Sequence, residues 1–258
     1  MRRPIVFLHL PKTAGQTIHH AIGALVGETA ISPYRAMDQV GARTVFPPEY
    51  QFHSGHLNWV DLDKRQQNPF VFTVLRDPRE RFASFYFFRR DALSKYYSSH
   101  PNQRPNELER AILGPPEALF FSSDPGVSDR INFGWANQMT TYLSLRRLGR
   151  GPGERHIAFD EHWQRIEKNL RDLDAIYRFG DFSPLEDDIE ALWRERPKIC
   201  ATKANCGPLP KSISRWDALL SSLGSDRLAA KMDRFIDEDD RVWSRLQPNL
   251  NNPRDRRE

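Results

Sequence analysis

The stretch IVFLHLPKTAGQT, residues 5–17, decides the fold of this chain. Its first part, Ile5–Leu10, is almost wholly apolar, which predicts a buried strand. A polar loop follows, and from about Thr17 the apolar residues recur at helical spacing. A strand, a loop and a helix in this order form the opening unit of an α/β protein with a parallel sheet.

The same unit recurs further along the chain. Phe70–Leu75 is a second continuous apolar run, and strands that are apolar on both faces lie inside parallel sheets. Asp77 and Pro78 follow it as the expected N-cap and first turn of a helix that runs through Arg89. The predicted fold class is therefore α/β, with a central parallel sheet flanked by helices in three layers.

The rest of the chain is less regular. The stretch Tyr97–Gly126 predicts long loops around short helices. The whole chain, residues 1–258, is expected to form one domain with a tail that frays after about residue 248. Further elements are predicted as helices at Ile131–Leu148, Trp163–Leu173, Pro184–Arg194 and Ala229–Leu246, and as a strand at Ala175–Phe179.

Composition limits the class of protein. With 258 residues, 39% hydrophobic and 11% aromatic, the chain can bury a sizeable core. The formal net charge of +4 is a mild excess that suits a polyanionic ligand, and no nucleic-acid-binding motif occurs. No apolar run is long enough for a secretory signal or a membrane span, so with Met1 as native start we expect a soluble, cytoplasmic protein without a transmembrane segment.

The two cysteines, Cys200 and Cys206, have no His or Cys cluster around them that would complete a zinc set. Two ordinary thiols are the preferred interpretation, and a disulfide is the alternative. No metal site is predicted.

The loop after the first strand is a candidate phosphate site. Lys12 supplies a mobile charge, Thr13 and Thr17 supply hydroxyl donors, and Gly15 allows close approach of the backbone at a helix N-terminus. The spacing is not that of a Walker A loop, in which the lysine follows the second glycine. A solvated turn is the alternative. The candidate binding residues are Lys12, Thr13, Ala14, Gly15, Gln16 and Thr17.

A second candidate site follows the second strand. Arg76 lies at its carboxyl end, and its planar guanidinium can bind a phosphate through two hydrogen bonds. Ser84 lies about two helical turns further on, where its hydroxyl can reach the same phosphate. The alternatives are a salt bridge from Arg76 to Asp77 or Glu80, and a packing role for Ser84.

Together these motifs resemble the sulfotransferases that use 3′-phosphoadenosine 5′-phosphosulfate (PAPS). Residues 12–17 resemble the loop that binds the 5′-phosphosulfate. Residues 76–86 match in full the pattern Arg-Asp-Pro-x-x-Arg-x-x-Ser-x-Tyr of the 3′-phosphate motif. The two motifs most closely resemble those of the carbohydrate-acting branch that includes heparan sulfate 2-O-sulfotransferase. Asn137–Thr140 and Ile176–Leu192 extend the likeness, which covers about Pro4 to Leu246.

The resemblance implies a fold like that of P-loop NTPases, PAPS as donor, its product 3′-phosphoadenosine 5′-phosphate (PAP), and no metal. The chain departs from the membrane-anchored members of that branch, since with Met1 as native start we expect no anchor and the sequence has only two cysteines, and it is similar to a short bacterial-type relative. The acceptor is expected to be a hydroxyl of a glycan or glycolipid. A hydroxyl of another small molecule is the second choice. A lipid-linked acceptor would put the protein at the inner membrane surface. The oligomeric state stays open.

A sulfuryl transferase needs a base for the acceptor hydroxyl, and histidine suits this near neutral pH. Of the eight histidines we choose His56, in the segment Ser54–His56 between the two motifs, where the 2-O branch carries His-Gly-His. His53 is the substitute, and His9 is expected to be structural. Lys12 is expected to stabilise charge on the leaving phosphate.

Two other functions remain open at this stage. A nucleotide-dependent kinase or NTPase would require ATP and magnesium. A non-catalytic nucleotide-binding relative would keep the fold without turnover. Tyr34, Trp59 and Trp135 are candidates for stacking on a sugar acceptor, although such residues are often part of a core.

Overall fold

The computed structural model contains one four-stranded parallel sheet with the strand order β2-β1-β3-β4. It describes residues 2–41, 43–62, 68–154, 156–202, 208–210 and 212–251. The strands are β1 at Ile5–Leu8, β2 at Phe52–Gly55, β3 at Phe70–Leu75 and β4 at Ala175–Arg178.

Helices cover both faces of this sheet, which confirms the predicted three-layer α/β class. Those in the described residues are α1 (Gly15–Val26), α2 (Met37–Val40), α3 (Pro78–Ser99), α4 (Glu107–Leu113), α5 (Pro116–Phe120), α6 (Pro125–Gly134), α7 (Gln138–Leu145), α8 (Phe159–Asn169), α9 (Ser183–Trp193), α10 (Arg215–Ser221), α11 (Asp226–Ala229) and α12 (Asp237–Leu246). Short 3₁₀ turns lie at Glu28–Ala30, Pro152–Glu154, Leu170–Asp172, Met232–Phe235 and Gln247–Asn249.

The alternation of side chains along β1 assigns a helical layer to each face. Ile5 and Phe7 pack with α1 and α9, whereas Val6 and Leu8 pack with α7, α8 and α12. Because both sets are buried, β1 is apolar on both faces, as its sequence predicts.

The structure of the unit that begins at Phe70 agrees closely with the prediction from the sequence. β3 has the predicted bounds, Pro78 opens α3, and the Asp77 carboxylate accepts a hydrogen bond from the Glu80 backbone N–H at 3.0 Å. The helix continues past Arg89 to Ser99. At the other unit, β1 ends at Leu8, two residues early, and α1 begins at Gly15 instead of Thr17.

β2 is a strand that the sequence did not predict. The four residues FHSG are short and half polar, so their pattern resembles a loop. The strand forms because β1 offers a full parallel partner, with Ile5 opposite Phe52 and Leu8 opposite Gly55. The extended segment Ile31–Ala36 adds isolated parallel bridges on its other side.

The helix predicted over Ile131–Leu148 is wrong as a single element. α6 ends at Gly134 and α7 begins at Gln138, because Asn137 adopts a left-handed conformation with φ of 45°. The Asn137 side-chain oxygen accepts the backbone N–H groups of Glu238 and Asp239. The residue therefore leaves the helix and supports the start of α12.

The final helix is also shorter than the predicted Ala229–Leu246. The chain turns through Met232–Phe235 before α12 begins at Asp237. Met232 and Phe235 are buried in the cluster around α3, and the turn permits this burial. The remaining predicted elements differ from the structure at their ends only.

The end of the chain is packed further than expected. Beyond residue 248, Asn251 donates its backbone N–H to Ile176 and accepts from the Arg178 N–H at the end of β4. Residues 252–258 and Cys206 lie outside the described residues, and Cys200 is an exposed free thiol. Among the described helices, none combines the length and the apolar character needed to cross a bilayer.

A buried polar network joins α3, α7 and α12. Arg81 donates to the Gln138 side chain at 2.9 Å and pairs with Asp239 at 3.4 Å. Asp239 also accepts hydrogen bonds from the backbone N–H groups of Met139 and Thr140. Both charged side chains are almost fully buried, so each depends on the other for compensation.

We predict that Asp239→Asn lowers the free energy of unfolding by about 3–5 kcal/mol, because it leaves the Arg81 charge buried and uncompensated. The neighbouring Asp240→Asn is the matched control: its partner Arg79 is partly exposed, and the loss should stay below about 1 kcal/mol. Urea titration measures both. Equal losses in the two variants would contradict the role assigned to the network.

Candidate functional site

The candidate site lies along the edge of the sheet where the parallel strands end. The Lys12 loop follows β1, His56 follows β2 and Arg76 follows β3. Parallel pairing aligns Leu8 with Gly55 and Thr73, so the three segments leave the sheet on one side. Ligands of open α/β sheets bind at this edge.

The loop after β1 has the backbone of an anion-binding turn. Lys12 and Ala14 have φ of 70° and 66°, in the left-handed region, and Thr13 between them does not. Alternation of this kind turns successive N–H groups toward one point. Ala14 is the N-cap of α1 and has no side-chain acceptor for the first N–H groups of the helix. The loop can therefore offer backbone donors to a phosphate.

Some side chains of the loop are buried and support the fold, whereas others lie at the surface. The Thr13 hydroxyl is buried and donates to the Leu10 carbonyl at 2.7 Å, so any contact of Thr13 with a ligand runs through its backbone N–H. This corrects the expectation of a free hydroxyl. Gln16 is exposed, and Thr17 is buried with a partner of its own.

Gly15 is required by the ring of His9. A Cβ at position 15 would overlap the His9 ring, so a larger residue there would have to displace it. The His9 ring is buried and its Nε2 has no hydrogen-bond partner among the described residues. The sequence assigned Gly15 to the approach of a phosphate, and the structure adds this packing of His9 over the loop.

Two arginines contact one carboxylate, and Lys12 lies near both of them. Arg76 is buried, donates to the Lys12 carbonyl at 3.3 Å and pairs with Glu80 at 3.2 Å. Glu80 also contacts Arg215 at 3.7 Å. Burial, then the charges of Arg76 and Arg215, lower the pKa of Lys12 to about 8. Burial and Arg215 lower the pKa of Arg76 to about 10. The group carries an excess of positive charge that an anion would neutralise.

The structure shows the salt bridge from Arg76 to Glu80 that the sequence offered as the alternative to phosphate binding. The salt bridge to Glu80 exists, yet the same carboxylate accepts from the backbone N–H groups of Arg215 and Trp216. One negative charge is therefore shared among several donors, and it orients Arg76 without cancelling the local positive charge.

Ser84 lies on the face of α3 that meets the loop. Glu80, Ser84 and Phe88 are spaced four residues apart, which places them in one row along a helix. At one end of the row Glu80 pairs with Arg76, and at the other the Phe88 ring lies 4.0 Å from Lys12 Nζ. The buried Ser84 lies between Glu80 and Phe88 in this row.

His56 stands beside His9 at the start of the loop. The two rings stack with centroids 4.4 Å apart, and His56 Nδ1 lies 3.3 Å from the His9 carbonyl. A carbonyl only accepts, so Nδ1 carries the proton and Nε2 is the basic nitrogen. Burial lowers the pKa of His56, opposed by the bond to His9 and aided by Arg35 and Lys12, so the ring is neutral at pH 7.

His53 is directed away from this edge. It pairs with Val6, two residues before the strands end, and its ring packs edge-on against Phe46 and Tyr50. It lines a separate cavity with Pro4 and residues 44–46, 48, 61–62 and 69, near the amino ends of β1 and β3. Burial lowers the pKa of His53 to about 4. His53 and His56, the two histidines considered as the base, therefore lie toward opposite ends of β2.

The aromatic residues considered for sugar stacking are mostly core. Trp59 is fully buried and Trp135 is nearly so, which corrects that expectation, and Tyr34 is half-buried. Instead, two partly exposed rings that the sequence did not single out flank the cations: Phe88 beside Lys12, and Phe179 with the Arg76 guanidinium 4.5 Å from its centroid.

Sequence reasoning also missed Arg35 and Arg215. Neither belongs to a motif, and both arrive through contacts that span long stretches of chain. Arg35 contacts His19 and Ser54 and lies near His56. The only available signal was the basic residue type itself, which is common on any surface.

Backbone donors at a helix N-terminus, flanked by Lys12 and Arg76, are suited to binding a phosphate or sulfate group. A family model described as the sulfotransferase family matches residues 2–195, which includes this whole edge of the sheet. The chain therefore belongs to the sulfotransferase family, and it is an enzyme of sulfuryl transfer. No curated protein matches the chain.

We predict that Gly15→Ala weakens the binding of an anionic ligand at this loop, tested with PAP, at least about tenfold, because the new methyl group must displace His9 and deform the loop. Gly153→Ala is the matched control, since a Cβ there meets no atom within 4 Å. Calorimetric titration measures both. The double variant His9→Ala/Gly15→Ala should recover part of the affinity, and wild-type binding by Gly15→Ala alone would refute the clash.

Proposed function

We propose that this enzyme transfers the sulfuryl group of PAPS to a hydroxyl of a carbohydrate acceptor, with His56 as general base. One observation carries the proposal: the Lys12 loop, Arg76 and His56 follow three adjacent strands of one parallel sheet. A donor with two separate phosphate groups requires two anion sites, and the base must lie beside one of them.

The assignment of the phosphates follows the charges. The loop N–H groups and Lys12 would hold the 5′-phosphosulfate. Arg76 and Ser84 would hold the 3′-phosphate, which separates PAPS from ATP. Phe179, an exposed ring beside Arg76, offers a surface on which the purine can lie. No group of three or more His, Cys, Asp or Glu side chains suited to a metal occurs in the described part of the chain.

The proposed reaction is an in-line displacement. The acceptor oxygen forms a bond to sulfur as the bond between sulfur and the bridging phosphate oxygen breaks. The acceptor proton passes to Nε2 of His56, and PAP leaves. Lys12 and the loop N–H groups stabilise the charge that grows on the leaving phosphate. Positioning of donor, acceptor and base accounts for most of the acceleration.

The neutral state of His56 supports its role. Because burial and the nearby cations lower its pKa, the ring is unprotonated at pH 7 and can accept a proton. The bond from Nδ1 to the His9 carbonyl fixes the ring and keeps Nε2 basic.

We predict that PAP stabilises the protein against heat without magnesium, and more strongly than AMP, because only PAP carries the 3′-phosphate. Ser84→Ala should reduce the preference for PAP over AMP by about tenfold, the loss of one hydrogen bond to a charged group. Ser99→Ala, at the exposed end of the same helix, should leave the preference unchanged.

Equal responses to PAP and AMP would remove the 3′-phosphate assignment. A response to ATP that depends on magnesium would favour a kinase or NTPase instead.

We predict that His56→Gln binds PAP with wild-type affinity but loses transfer by at least about a hundredfold, the usual contribution of a general base. The measurement is PAP released from PAPS in the presence of a panel of glycan and glycolipid acceptors. His53→Gln is the control and should keep transfer. The reverse outcome would assign the base to His53, and PAP binding without turnover in the wild type would favour a non-catalytic relative.

A further inference from the structure

Arg35 is a half-buried cation beside His56 with no carboxylate partner in the described part of the chain. Its Nη1 contacts His19 Nδ1 and lies 3.1 Å from the Ser54 hydroxyl. Neither group carries a negative charge, so neither compensates the charge of the guanidinium. Burial lowers the pKa of Arg35, and no acidic group opposes this effect.

Other arginines of comparable burial are compensated. Arg76 pairs with Glu80, Arg146 with Asp172, and Arg150 with Glu238. A desolvated charge without a counter-charge costs free energy. An anionic ligand that docks against Arg35 would recover this cost.

The order of segments along the sheet edge places Arg35 on the side of His56 that is remote from Arg76. The segment Ile31–Ala36 bridges β2 on the side opposite β1. The edge therefore runs from Arg35 through His56 and the Lys12 loop to Arg76. In the proposed function the donor occupies the Lys12 loop and Arg76. The acceptor must therefore approach His56 from the side of Arg35.

The backbone holds Arg35 close to the base. The His56 N–H donates to the Arg35 carbonyl at 2.8 Å, and Gly55 makes this approach possible, since a Cβ there would lie 2.4 Å from the same oxygen. The Gln39 side chain accepts from the Arg35 N–H at 2.6 Å. Arg35 is thus fixed before a ligand binds, which reduces the entropy lost on binding.

We propose that Arg35 binds an anionic group, a carboxylate or a sulfate, carried by the acceptor, so that the enzyme selects acidic hydroxyl compounds. The inference rests on the proposed function, because it takes the donor to occupy the Lys12 and Arg76 positions. Arg35 is a specificity residue in this account, and the chemistry at the hydroxyl belongs to His56.

The experiment compares glucuronate, glucose 6-sulfate and glucose as ligands of the PAP-saturated protein, by NMR titration. The wild type should bind at least one acidic sugar about tenfold more tightly than glucose, and the two acidic sugars separate carboxylate from sulfate recognition. Arg35→Gln should reduce that preference to about one, while Arg35→Lys keeps part of it. Arg43→Gln, an exposed arginine eight residues further on, is the control.

Melting temperature and PAP affinity of each variant establish that fold and donor site are intact. An undiminished preference in Arg35→Gln would overturn the inference, as would equal binding, or no binding, of all three sugars to the wild type. Failure of the wild type to bind PAP would instead count against the proposed function.

Discussion

The contact between His9 and the loop holds the site together. His9 follows β1 directly, and its ring covers Gly15 at the start of α1. Its carbonyl accepts from His56, and its ring stacks on that imidazole. The anion-binding loop and the candidate base are therefore positioned by one buried residue. A shift of His9 would move both, so the donor and proton-transfer positions cannot vary independently.

Electrostatics explain why this edge of the sheet is suited to anions. Arg76 and Arg215 share the carboxylate of Glu80, and Lys12 is repelled by both arginines, so the repulsion among these cations adds to the cost of burial. The folded chain tolerates this cost because the surrounding contacts fix each side chain. An anion reverses the repulsion, and it would raise the pKa of Lys12 again. The same logic applies to Arg35, at the other side of His56.

The sequence predicted the parts of the fold that depend on local signals. β3, the Asp77 cap and the two site loops follow from apolar runs and the residues that end them. β2 was missed because its polar residues become a strand only through pairing with β1. The break at Asn137 was missed because its cause, the start of α12, lies a hundred residues away. Arg35 and Arg215 reach the site by similar long-range contacts, which no local pattern reveals.

Helical periodicity separates two functions within the second motif. Ser84 shares its face with Glu80 and meets the loop, whereas Arg81 points to the interior and binds Gln138 and Asp239. Gln138, Met139 and Thr140 take part in this same interior network. In this chain, that part of the segment packs α3, α7 and α12 together. Selectivity for the acceptor has to arise from residues outside the motifs, and Arg35 occupies the position where such a residue can act.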